Sequence, residues 1–567
     1  MTELDFNLFL KKYIAEISEA GDGMYSEQMP ELTEELFSVF EHTGNRLTYE
    51  NVYFHRRKFL AVYGILSILY KKERDIKKLE MVIQDICHEI CWALPAHVNR
   101  REDKNWQITI DLFAAETAFS LAEIVGRLQG SISQKTYELV EKEVFRRVLL
   151  PFMDSEKPYA WWECSHMNWC AVCNGSVGGA AIWLMKDKEK LELLLSRICS
   201  SIMNYLDGFS EDGACLEGIG YYTYGMSYFT AFADLVHEYS CGRICLTGSD
   251  KFKKIACFQQ KCFLPGKFSL CFSDSSDNEK FRVGLTAYLA MIDKNVIFPD
   301  MEMAAGLESD PCYRYIILSR DIFFTEKFCK DVRKKNIANI TSFHTVLPQA
   351  QWSVCCSKKR SIFAIKGGNN EEPHNHNDVG SFLYVYEGEQ ILADIGAGEY
   401  TQDYFNENRY ENICCRSLGH NVPVINGREQ KSGGEYKASY FNADGRGKTM
   451  VGIEEAYGLD RDEKINRSAV FDLESGDCTI KDEFVLHSGS HIVENLISIY
   501  QPEIVEDGFL LHTKHADVMI TCGSKKDYTV QNQQYFNHSG DIKQVWLIQW
   551  KVWGNVEEIK IHKVNGG

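Results

Sequence analysis

Apolar residues recur at three- and four-residue spacing through the first half of the chain. Near residues 335–350 they give way to short runs rich in Val, Ile, Tyr, Phe and Trp. The helical spacing is clear in 57–72 (RKFLAVYGILSILYKK), 106–128, 137–153, 191–209 and 221–239. Short polar or glycine-containing turns separate these segments. Amphipathic helices in such a series stack as antiparallel hairpins into a solenoid or a closed toroid, and periodicity alone does not choose. The later runs, among them SIFAIKGG, SFLYVYEGEQILADIG, SAVFDLESGDCTIKDEFVL, HADVMITCG and QVWLIQWKVWG, are punctuated by Gly, Asn and Asp. They predict an antiparallel sheet sandwich. The change of character predicts a boundary within 336–343, with a helical domain over 1–340 and a strand-rich domain over 341–567.

At 567 residues the chain is too long for one core. Its net charge of −18 argues against nucleic acid as a partner. An anionic ligand stays open, because a few convergent Arg and Lys override the global field locally. The start, MTELDFNLFLKKYIAEI, is polar and lacks the apolar stretch of a secretory signal. The longest apolar runs, such as 178–185, are too short to cross a bilayer, so no membrane partner is expected. The 20 cysteines are therefore expected as free thiols in a reducing, cytoplasmic setting. Cys170-x-x-Cys173 has the redox spacing but no βαβ context.

Four constellations carry candidate chemistry. In Pro373-His374-Asn375-His376-Asn377-Asp378 the two histidines, if extended, share a face about 6 to 7 Å apart. With Asp394 and His420 downstream, two imidazoles and a carboxylate make a zinc set with one position left for another ligand. The bland alternative is surface or hydrogen-bonded histidines, and the pattern does not decide which of His374 and His376 takes the metal. Asn168 and Asn174 are costly in a core unless hydrogen-bonded, though either would serve as a helix N-cap. Glycines around Glu217, Tyr221, Tyr222 and Tyr224 leave side chains open to a ligand, unless these tyrosines simply start a helix in the core. Arg409, Tyr410 and Arg416 would pair with an anionic sugar or stand as solvated surface groups. Phosphate-loop, dinucleotide, nucleophile-elbow and HExxH motifs are absent from the sequence.

Taken together, NWCAVCNGSVGGAA, DGACLEGIGYYTYG, FSDS at 272–275 and HNHNDVGSFLYVYEGEQILADIGAGEYT followed by SLGHNVPVING resemble the heparinase II/III-like family of polysaccharide lyases. The resemblance implies an N-terminal incomplete (α/α) toroid followed by a C-terminal antiparallel β-sandwich, with a cleft between them. It implies β-elimination at a hexuronic acid. That reaction needs a neutralised carboxylate, a base for the C5 proton and an acid for the departing O4. Under it, Asn168 binds the uronate carboxylate, Tyr221 is the catalytic acid and on one face of the sugar also a base, with Tyr222 and Tyr224 as alternatives to it in the Gly-rich stretch, and His374 is the base or a carboxylate neutraliser. Tyr404, ahead of Tyr400, is the candidate second tyrosine. Trp169, Asn174, Glu217, Tyr222, Tyr224, Arg409 and Arg416 are expected around the substrate. His376, Asp394 and His420 are expected to hold one divalent metal, Zn2+ by preference, in a mainly structural role.

The substrate so implied is an anionic oligosaccharide: glycosaminoglycan fragments first, alginate second. A homodimer is compatible with it. Two further readings compete. A uronate glycoside hydrolase would set two carboxylates, Asp212 and Glu217, across the bond. A non-catalytic sugar-binding protein would bind without turnover.

Overall fold

Helix caps and close-packed glycine faces set the helical half. In this computed structural model, residues 3–330, 342–523 and 527–564 are described. They form two units. The first comprises the described residues within 1–209, 221–257 and 280–337; the second those within 210–220, 258–279 and 338–567. The expected boundary at 340/341 lies outside the described residues.

The first unit is helical. The expected segments appear as Leu47–Tyr70, Leu112–Arg127, Gln134–Val144 with its continuation to Met153, Lys188–Asp207 and Ile219–Tyr239. The helix expected from 106 starts six residues late. Asp111 stops it: its carboxylate caps the Ala114 amide at 2.7 Å and takes His97 Nδ1 at 2.7 Å on its other oxygen. The Gly/Ala-rich stretch is the helix Asn168–Leu184. Its small face admits neighbouring helices at close range, since a Cβ at Gly178 or Gly179 would overlap the ring of Phe232 or Phe119. The last helix of the unit, Tyr315–Lys330, packs back against Glu3–Met24 and Leu47–Tyr70.

The second unit is built of antiparallel strands. An eight-stranded sheet runs, in spatial order, Tyr440–Ala443, Lys448–Gly452, Lys464–Phe471, Cys478–Val485, Val556–Val564, Asp517–Thr521, Gly508–His512 and Pro502–Val505. A four-stranded sheet runs Thr529–Phe536, Ile542–Lys551, Ile492–Ser498, Val424–Ile425. A five-stranded sheet runs Phe343–Leu347, Trp352–Cys356, Ser361–Lys366, Phe382–Tyr386, Glu389–Leu392. Alternate residues along these strands point into one apolar core that joins Phe363 and Phe382, Ile465 and Ile480, and Leu496 and Trp550.

Two segments from the helical half of the sequence belong to this unit. Residues 210–220 are tied by Asp212, whose carboxylate accepts the Gln349 amide at 2.7 Å. Residues 258–279 are tied by Phe272 against Trp352, with ring centroids 5.4 Å apart, and by the Cys271 thiol on the Asp394 carbonyl at 3.4 Å. Gly396, at φ +62°, lets the chain past the Ser275 carbonyl. A Cβ there would overlap that oxygen in a backbone conformation L-residues resist. Gly396→Ala is expected to cost on the order of 2–3 kcal/mol of stability, the range for overpacking plus left-handed strain. An unshifted denaturation midpoint would show that the 258–279 segment is not held this way.

Candidate active site and cation site

A buried carboxylate gathers the first group of side chains. Asp274, on the inserted 258–279 segment, receives His374 Nδ1 at 2.9 Å and His376 Nε2 at 3.0 Å. The Tyr404 and Tyr400 hydroxyls donate to it at 2.5 and 3.0 Å, and Arg409 reaches it at 3.3 Å. Burial alone would raise its pKa. The hydrogen bonds from His374 and His376 and the Arg409 charge outweigh burial and hold it well below the usual carboxylate range. Asp274 therefore stays an anion and acts only as an acceptor. Asp274 lies 100 positions before His374, inside the FSDS run that the resemblance marked without giving Asp274 a role.

The histidine segment is not extended. Residues 371–380 form turns, and His374 has φ +57°. The two rings converge on Asp274, and strand alternation has no part in it. Such a backbone costs about 1–2 kcal/mol for a residue with a Cβ. Arg409 helps hold it, donating to the Asn375 carbonyl at 2.9 Å. His374 is half-buried, with Nε2 3.7 Å from the Glu217 carboxylate.

Next to it lies a second, closed cluster. One ring nitrogen of His376, one of His420 and one oxygen of Asp394 come within 4.8 Å of each other, all buried. In these three residues His376 Nδ1, His420 Nδ1 and Asp394 Oδ2 each lack a hydrogen-bond partner, which makes them the candidate ligand atoms. Three buried polar atoms without partners in one cluster are costly without a ligand. The opposite ring nitrogens are held, His376 Nε2 by Asp274 and His420 Nε2 by the Cys414 carbonyl at 2.9 Å. That is the arrangement by which metal-binding imidazoles are oriented, and the residues fit a divalent cation. Asn421 braces the surrounding backbone through the Phe382 and Ala393 carbonyls at 2.7 and 3.0 Å. Arg467 ties the Gly380 and Asn421 carbonyls together at 2.8 and 2.6 Å.

The remaining expected residues divide. Tyr404 is fully buried, and burial, then the Asp274 charge, push its phenol well above the usual range. It donates to Asp274, while Tyr400, half-buried, is the tyrosine nearer solvent. Arg409 is engaged by Asp274 and Asn375, and Arg416 by Glu429 through Nε at 3.1 Å to both oxygens. Glu217 lies beside His374 as described.

In the helical unit, Asn168 is the buried first residue of its helix, whose cap is Met167. Asn174 sits inside that helix, donating to the Glu163 and Cys170 carbonyls at 3.1 and 2.9 Å. The N-cap reading fails for both, and Asn174 is a structural tie. Trp169 packs on His97 and on the exposed Trp161, at 5.0 and 5.1 Å between ring centroids. Tyr222 is buried, its hydroxyl on the Ile255 carbonyl at 2.9 Å. Tyr224 donates to Glu116 beneath Arg314, whose guanidinium lies 4.1 Å from the Tyr224 ring centroid. Tyr221 is partly exposed in the first turn of Ile219–Tyr239. The 20 cysteines are free thiols. No described helix is long and apolar enough to cross a membrane.

Burial raises Glu116 to about 7, despite Arg314 and the Tyr224 hydroxyl. The unfolded chain sheds this proton near its ordinary pKa and the folded chain only near 7. Stability from this group is thus fully present below the ordinary value and is lost as pH rises through about 7. Glu116→Gln should flatten the fall in melting temperature between pH 5 and 8; an unchanged slope would exclude Glu116 as its source. His376→Ala should lower bound metal, read by elemental analysis of the purified chain, and lower the melting temperature with it. Full metal occupancy in that variant would refute the ligand set.

Neither a family profile nor a curated protein sequence matches the chain. Solved structures do. Heparinase III aligns with TM-score 0.62 at 12% identity, over 98% of this chain and 92% of that one. A heparan sulfate lyase HepC mutant from Pedobacter heparinus aligns with TM-score 0.61 at 11% identity, over 99% and 89%. The Streptomyces coelicolor A3 chondroitin AC lyase, solved with chondroitin sulphate, aligns with TM-score 0.53 at 10% identity, over 98% and 79%. The chain therefore has the heparinase-like polysaccharide lyase fold, a helical toroid followed by an antiparallel β-sandwich.

Proposed function

We propose that the chain is a polysaccharide lyase that cleaves uronic-acid-containing oligosaccharides by β-elimination. The observation that carries the reading is the Asp274–His374 pair beside the closed His376–Asp394–His420 cluster. An acceptor-only carboxylate at Nδ1 keeps the proton of a neutral His374 on that nitrogen, leaving the Nε2 lone pair as the base. His374 then takes the C5 proton. The C5–H electron pair becomes the C4=C5 double bond, the C4–O4 bond breaks, and Tyr221 protonates the departing O4. Asn168 hydrogen-bonds the uronate carboxylate while charge moves onto it. Tyr221 is partly exposed, whereas Tyr222 is buried, and this supports Tyr221 as the acid. His376, Asp394 and His420 would hold a divalent cation, Zn2+ by this N/O donor set, which would stiffen the turn that carries His374 and His376. Twenty free thiols favour a reducing compartment, so the substrates are imported oligosaccharides, with glycosaminoglycan fragments ahead of alginate.

Hydrolysis finds less support. Asp212 binds the Gln349 and Ala350 amides through Oδ2 and the Ala214 amide through Oδ1, so it ties its loop and is not presented to a glycosidic bond. Tyr221→Phe and His374→Ala should each lower turnover by at least about a hundredfold, the scale of general acid–base catalysis. The assay is the ultraviolet absorbance of the conjugated unsaturated uronate, with product masses. Saturated products carrying an added water would replace the lyase with a hydrolase.

A further inference from the structure

Asp378 ends the run His374-Asn375-His376-Asn377-Asp378, is wholly buried, and plays no part in the elimination. The backbone around it is pinned from two sides. The Asn377 amide donates to the Cys415 carbonyl at 2.9 Å, and the Lys366 amide donates to the Ser381 carbonyl at 3.1 Å. The two oxygens of Asp378 differ. Oδ1 accepts the Lys366 ammonium at 2.8 Å, whereas Oδ2 has no hydrogen-bond partner.

Asp394, a candidate ligand, shows the same division. Its Oδ1 accepts the Gly396 amide at 3.0 Å, and its Oδ2 has no partner. Both unpartnered oxygens lie beside the same atom, His420 Nδ1: Asp394 Oδ2 at 3.8 Å and Asp378 Oδ2 at 4.0 Å. Those distances exceed a hydrogen bond, so a proton on His420 would satisfy neither oxygen. Two buried carboxylates beside one nitrogen also repel each other, and Lys366 offsets only one of the two charges. A divalent cation held by both oxygens gives each a partner and ends the repulsion. Two imidazoles and one carboxylate leave a tetrahedral set one donor short, and Asp378 Oδ2 is a fourth.

We infer that Asp378 supplies the fourth donor oxygen of the cation site, which leaves that site closed to solvent and substrate. The inference rests on the cation reading of His376, Asp394 and His420. It makes the cation wholly structural, since a closed site has no position at which a substrate oxygen could bind. Lys366, on the other oxygen, then orients Asp378 for that role.

The test reads the ligands of the cation and not turnover. The full-length chain is produced in zinc-depleted culture supplemented with Co2+, whose visible absorption reports its donors, and azide is added as an outside ligand. The wild-type spectrum should not respond to azide. In Asp378→Ala it should shift on azide addition, and a competing chelator should remove Co2+ at least about tenfold more readily. Asp378→Asn, of the same shape, should also release Co2+ more readily, which keeps the test open if the alanine variant does not fold. Lys366→Met breaks the same ion pair from its other side and should hold Co2+ better than either variant at 378. Equal losses in all three would reduce Asp378 to an ion-pair partner and overturn the assignment. A wild-type spectrum that responds to azide, or variants at 378 that hold Co2+ as the wild type does, would also overturn it and leave a three-ligand site. A wild-type chain that takes up neither Co2+ nor Zn2+ would instead overturn the cation reading itself.

Discussion

Everything in the strand-rich unit's candidate site depends on one buried anion. Asp274 binds two imidazoles, two phenols and a guanidinium, contributed by the histidine loop, the tyrosine loop and the turn after it. A charge taken out of water is tolerated only when donors surround it. Here the donors are themselves the candidate chemical groups, so satisfying the carboxylate also fixes their positions. One imidazole on Asp274 is the candidate base and the other a candidate metal ligand. The cation cluster and the base are thus held through the same two oxygens.

Glu116 gives the contrast. Both carboxylates are fully buried, yet Glu116 is raised to about 7 and Asp274 is held low. Glu116 has a phenol and an Arg314 shared with Asp310, whereas Asp274 has two imidazoles and Arg409 as well as phenols. Burial is the largest influence on each, and the number and charge of the donors decide which way the balance falls.

Much of this could be read from the sequence, and what could not has physical causes. Periodicity marked the main helices and the strand-rich half because both depend on local spacing. The candidate cation ligands stood out as a set, because two histidines two apart, Asp394 and His420 near short glycine-rich turns form a local pattern, but the choice of His376 over His374 came from the family resemblance. Asp274 was marked only as part of the FSDS run, and its role was not legible there, since it comes from a long-range closure between residues 274 and 374. The extended reading of the His-x-His segment failed because side-chain hydrogen bonds hold His374 in a left-handed backbone that spacing does not reveal. Tyr404 and Tyr400 were separable only by burial. Asn168 and Asn174 looked like caps because residue type alone does not tell which position of a helix an asparagine occupies.

The inserted segments also bear on how the chain is made. Residues 210–220 and 258–279 leave the ribosome long before the strands they pack on. At ~5–20 residues per second, the wait from Asp274 to the last of its partners, Arg409, is roughly 7–27 s. Phe272, Cys271 and the Asp274 carboxylate spend that interval without the sheet that will cover them. During synthesis this stretch is a natural place for a chaperone to engage, and truncation within the strand-rich half would strand it there.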